Sequence, residues 1–169
     1  SMGPSLFRAL AAPGVPVATV DDLENYGLLT DVSPEEKRVR MLDRYKRIYS
    51  PAIGSGPVMD FLGQTGLDAL KGADVLNVAP QLYSSTIEYG NNTISKKLRS
   101  IAQIHLAQVG TRVFYCDLGS FDTHADQLAT HGNLWSDASA AIRDFFDDLE
   151  EHQAADNVVM FLFSEFGRR

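Results

Sequence analysis

Two apolar runs flanking a long amphipathic stripe constrain this chain more than any other feature. Residues 111–118 and 157–163 are apolar almost without interruption, with Val113, Phe114, Tyr115 and Cys116 in the first and Val158 to Phe163 in the second. Continuous rather than alternating apolar character is the pattern of strands buried on both faces, as in a parallel sheet. Between them, residues 133–152 read as a helix. Leu134, Ala138, Ala141, Phe145 and Leu149 recur every three or four positions, with Trp135, Ile142 and Phe146 beside them as a core-facing stripe. Asp144, Asp147, Asp148, Glu150 and Glu151 are expected to form the solvated face of that helix. Strand, helix, strand is a βαβ unit with parallel strands and a right-handed crossover, so the expected fold class is α/β.

Upstream the signals are weaker. Residues 1–32 read as an irregular segment interrupted by Pro4, Pro13, Pro16, Gly14 and Gly27, with a short strand at 15–20. Ser33-Pro34-Glu35-Glu36 has the form of a capping box, with proline at the first helical position. It opens a predicted helix to about residue 50, with Val39, Leu42, Tyr45 and Ile48 along one side. A second helix is predicted over 57–70, weakened by Gly63 and Gly66. Gly54-Ser55-Gly56 before it lacks the lysine and hydroxyl of a phosphate loop and reads as a turn. Residues 72–92 read as loop with a short strand at 75–78. Asn91-Asn92-Thr93 fits a glycosylation sequon, but its expected role is to cap a helix over 94–109. His105 on that helix reads as a packing residue.

Composition excludes several classes. An apolar share of 44% and a charged share of 22% suit a globular core rather than a disordered chain. A formal charge of −7 argues against a nucleic-acid partner, which requires a basic surface. It leaves open a phosphate or sulfate ester as substrate, because a bound metal reverses the local field. No run reaches the ~18 apolar residues of a membrane span. Cys116, the single cysteine, is expected to be a small buried hydrophobe. No signal peptide is visible, and Ser1-Met2-Gly3 resembles a vector-derived leader.

In open parallel sheets, ligands bind beyond the carboxyl ends of the strands. Two polar clusters fall there: Asp122-Thr123-His124 with Asp126, Gln127 and His131 behind it, and Ser164-Glu165 with Arg168 and Arg169. Carboxylate and imidazole together suit zinc, manganese or iron. Asp122 and His124 fit metal ligation and simple loop bracing equally well on chemistry alone. Ser164 and Ser120 are weaker candidates as nucleophiles, since no Gly-x-Ser-x-Gly elbow surrounds them.

Four segments together resemble the bacterial domain of unknown function 1501 family. They are Thr111 to Tyr115, Gly119-Ser120-Phe121-Asp122-Thr123-His124 with Gln127 and His131, Phe145-Phe146-Asp147-Asp148-Leu149, and Phe163-Ser164-Glu165-Phe166-Gly167-Arg168-Arg169. The resemblance is strongest over residues 84–169. It implies membership of the alkaline-phosphatase and sulfatase superfamily, hence a partial α/β/α sandwich with a mostly parallel sheet over 33–169. It also implies a divalent metal (zinc, manganese or similar) and export to the periplasm by a twin-arginine signal. Carried over, Asp122, His124, His131 and Glu165 are the expected metal ligands, and Gln127 and Arg168 the expected substrate contacts. Phe166 stands where the superfamily has a metal-binding histidine. The family's Thr-Asp-His-Gly motif lies beyond Arg169, so the chain is expected to hold part of the site and to be inactive alone. The implied function is hydrolysis of a phosphate or sulfate ester. The alternatives are a non-catalytic binding or structural domain of an exported protein, and self-association through an exposed sheet edge.

Overall fold

The computed structural model describes residues 1–11, 17–24, 26, 27, 31–123 and 127–164, excepting the side chains of 71 and 74. Among these residues it shows four helices, α1 (Glu35–Tyr49), α2 (Pro57–Leu82), α3 (Thr93–Leu106) and α4 (Gln127–Glu151), with 3-10 turns at Arg8–Leu10, Ser50–Ala52 and Ala155–Asn157. None of them is long and apolar enough to cross a membrane.

α3 and α4 form the centre. Ile94, Leu98, Ile101, Ala102 and Ile104 of α3 meet Ala141, Phe145 and Leu149 of α4, and Leu76 and Ala79 of α2 close the cluster. Asn92 caps α3 as expected, its side chain accepting from Ser95 N–H at 2.9 Å. α1 buries no side chain. Its capping box does not form: Pro34 occupies the cap position, in extended conformation and without a side-chain hydrogen bond.

α2 runs past the end expected for it and absorbs the residues read as loop and strand at 75–78. Leu70, Ala73, Leu76 and Ala79 are buried at intervals of three, a helical spacing in which leucine alternates with alanine. Gly63 and Gly66, which lowered the helical reading, serve an approach. A Cβ on Gly63 would lie 3.0 Å from the Tyr49 carbonyl, and one on Gly66 would fall on the Tyr49 ring. The glycines let the end of α1 lie against α2.

The expected α/β/α sandwich is overturned, and with it the alkaline-phosphatase-like architecture. No strand exists among the described residues. Parallel pairing is reduced to two isolated bridges, both through Met2, to Val20 and to Cys116. Met2 N–H donates to the Tyr115 carbonyl at 2.8 Å, and Val20 N–H to the Ser1 carbonyl at 2.9 Å. Ser1-Met2-Gly3, read as a leader, thus carries Met2 into the core.

The physical reason is that a strand is a property of a pair. Phe114, Cys116, Leu118, Val158 and Met160 pack on the helical core. Val113, Val159 and Phe161 between them face outward, Val159 at 80% and Phe161 at 85% exposure. Each run is therefore covered on one side by helices and carries no ladder. Self-association through a sheet edge falls with the sheet.

Candidate functional site

The expected site segment begins at a strained turn. Ser120 has φ 71°, a left-handed conformation uncommon for any residue but glycine, asparagine or aspartate. Thr123 N–H then donates to the Phe121 carbonyl at 3.1 Å, folding Asp122 into a tight bend. α4 returns to this bend. His131 and Trp135, one turn apart, both meet Phe121 edge-on with ring centroids 5.5 Å away, and their own rings stack at 6.4 Å. His131 is thereby held beside the residue preceding Asp122. Asp122 and Gln127 are exposed and His131 is half-buried. Thr123 Oγ1 is buried and has no hydrogen-bond partner among the described residues.

His124, Asp126, Glu165 and Arg168 lie outside the described residues. Among the described residues no three metal-ligating side chains converge. Of the expected set, the structure brings His131 to the 121–123 bend.

A second polar cluster sits at the other end of α4. Asp148, expected on a solvated face, is 0% exposed. Its Oδ2 accepts from Tyr83 OH at 2.8 Å and from Tyr89 OH at 2.7 Å. Its Oδ1 lies 3.3 Å from His152 Nδ1, with no hydrogen-bond partner of its own. His152 Nδ1 reaches the Asp148 carbonyl at 2.8 Å and Nε2 the Ser84 carbonyl at 2.9 Å. Carbonyl oxygens only accept, so this arrangement favours the ring with a proton on both nitrogens. Its pKa is raised accordingly, chiefly by the Asp148 carbonyl, against the opposing effect of burial. Burial and the bond to Asp148 push Tyr83 up to about 12, and Tyr89 upward for the same reasons. Both hydroxyls are donors at neutral pH.

Glu151, one position before His152, completes the hold. It accepts from Thr86 N–H at 3.1 Å and from Thr86 Oγ1 at 2.8 Å, and these bonds lower its pKa, the hydroxyl first. The last turn of α4 thus grips the 83–92 connector between α2 and α3. Beside it, where α2, α3 and α4 end, lies a groove of about 610 Å³ walled in part by Tyr83, His105 and His152.

A family model described as "Protein of unknown function (DUF1501)" matches residues 69–169. The chain belongs to this family. No curated protein and no solved structure matches it significantly. Both polar clusters fall within the segment matched to DUF1501, from Tyr83 to His152. The Asp148 cluster had one legible signal. Ala141, Phe145, Asp148 and Leu149 step by four, three and one, so the carboxylate lies on the stripe that packs inward.

Proposed function

We propose that the 121–131 segment contributes to a divalent-metal site, for zinc, manganese or a similar ion, that serves hydrolysis of a phosphate or sulfate ester. Asp122 and His131 are the proposed ligands among the described residues. His124 and Glu165 are the further ligand candidates, and Gln127 and Arg168 the candidate substrate contacts. The reading is carried by one observation: Thr123 Oγ1 is buried beside Asp122 without a partner among the described residues. Leaving a buried hydroxyl unbonded costs about 1–3 kcal/mol, a cost removed when another group occupies the site. The donor set fits, since one carboxylate and one imidazole suit either ion. When bound, such an ion supplies Lewis acidity and a water acidic enough to ionise near neutral pH.

The chain's own residues have simpler tasks. Phe121 and Trp135 fix the His131 ring so that it need not be ordered on binding. Asp122 supplies the negative charge that draws a cation. Gln127, at the first turn of α4, presents an amide and a helix N-terminus suited to an anionic ester oxygen. Family membership supports export to the periplasm as part of the same proposal.

The test is calorimetric titration of the purified protein with zinc and with manganese, followed by turnover of aryl phosphate and aryl sulfate esters with the metal present. Binding should weaken at least tenfold in Asp122→Asn and in His131→Phe, which keeps the ring contacts and removes the ligand nitrogen. Absence of binding, or binding indifferent to both substitutions, overturns the reading.

A further inference from the structure

We propose that the groove where α2, α3 and α4 end binds an uncharged polyhydroxylated small molecule, of mono- or disaccharide type, through the carboxamide of Gln103. The groove's volume of about 610 Å³ lies within the range of small-molecule sites. Gln103 is 5% exposed as a residue and lines it. Its amide has no hydrogen bond to another described residue and is not among the fully buried unpartnered atoms, so what remains accessible of it can bond a group held in the groove.

Two neighbours point the same way. Gln108 and Gln153 follow α3 and α4, both line the groove, and both have left-handed backbones, with φ 53° and 56°. Helices that end in a left-handed residue usually place glycine there, because a Cβ is strained. Here a glutamine stands at both positions, on the same cavity. With Asn157, four carboxamides line one groove.

The chemistry of that lining selects the ligand. Among the described residues it contains no lysine, arginine, aspartate or glutamate. Both ring nitrogens of His152 are engaged with carbonyl oxygens. A charged ligand would find no free counter-charge. Carboxamides both donate and accept, and so do hydroxyls, so the two sets are complementary without charge. Leu82, Leu106 and Ala154 offer apolar surface to the C–H faces of a sugar ring.

Saturation-transfer NMR on the whole chain tests this, with glucose, galactose and maltose as neutral probes and glucuronate and glucosamine as charged counterparts. At least one neutral sugar should receive saturation and shift the Gln103 side-chain amide resonances. The charged sugars should bind at least tenfold more weakly. Gln103→Leu should weaken the neutral sugar at least tenfold while leaving the melting temperature unchanged or higher, since it removes an amide that bonds no other described residue. Asn157→Ala, at an exposed position on the rim, cannot disturb the core and should weaken binding severalfold. No transfer to any neutral sugar, equal binding of charged ones, or wild-type affinity in either variant overturns the proposal.

Discussion

Replacing Asp148 by asparagine keeps the shape of a buried side chain and removes its charge. In the native protein two tyrosine hydroxyls donate to one carboxylate oxygen, at 2.8 and 2.7 Å. A hydrogen bond to a charged group contributes about 1.5–3 kcal/mol, against about 0.5–1.5 for a neutral one. Asp148→Asn therefore costs about 1 to 1.5 kcal/mol per bond by the same comparison, or about 2–3 for the two. His152 loses a neighbouring carboxylate 3.3 Å from Nδ1 as well, a loss that solvent screens in part because its side chain is 28% exposed. Relief of the carboxylate's desolvation offsets part of the total. The net expectation is a destabilisation of about 2 kcal/mol, or ~4–8 °C in melting temperature for a chain of this size. Thermal and urea unfolding followed by circular dichroism at pH 6 measures it. Tyr83→Phe and Tyr89→Phe should each destabilise the wild type, and should cost less than half as much in the D148N background, because the strong acceptor is gone. A D148N protein as stable as the wild type, or tyrosine effects that simply add, would refute the reasoning.

Two further predictions concern pH and packing. Tyr83 and Tyr89 have folded pKa values raised above an unfolded value of ~10. The folded state then holds more protons, so this stability is complete below pH ~10 and is lost as pH rises through the folded values. Base-induced unfolding should set in between pH ~10 and ~12, and the Tyr83→Phe, Tyr89→Phe double variant should lose stability less steeply over that window. At two glycines of α2, alanine should have opposite effects. Gly66→Ala drives a methyl into the Tyr49 ring and should destabilise by about 1–3 kcal/mol despite better helix propensity. Gly72→Ala meets nothing within 4 Å and should stabilise by up to ~1 kcal/mol, both read by thermal melts.

The central helices were legible because their patterns are local. Leu98 and Ile101, or Ala141, Phe145 and Leu149, lie on one face whatever surrounds them, and Asn92 caps a helix three residues from its partner. What a local pattern lacks is the identity of a distant neighbour. The apolar runs at 111–118 and 157–163 describe segments with something apolar beside them. They do not say that the neighbour is a helix on one side with no ladder, as Phe114 and Met160 reveal by packing inward while Val113 and Phe161 face out. Asp148 was misread for the same reason, since Tyr83 and Tyr89 lie 65 and 59 residues away. α2 continues where the sequence reads as loop and short strand because Leu76 and Ala79 are buried in one cluster with residues of α3 and α4, partners the local pattern does not name. Within the candidate site, the return of His131 to Phe121 depends on where α4 begins. That start, Gln127, lies six residues earlier than the stripe indicated.

The grip of α4 on the 83–92 connector has a consequence for how the chain acquires and loses its shape. Thr86, Tyr83, Tyr89 and Ser84 are held by residues of the last turn of α4 or the position just after it, across separations of 59 to 68 residues. Closing so long a loop carries an entropic cost that no contact within the connector offsets, so the connector takes its form late, when the end of α4 arrives. In reverse, fraying that one helical turn releases both tyrosines, the Thr86 amide and the Ser84 carbonyl together. The connector and the end of α4 therefore open as one cooperative unit, although α3 stands between them in the chain.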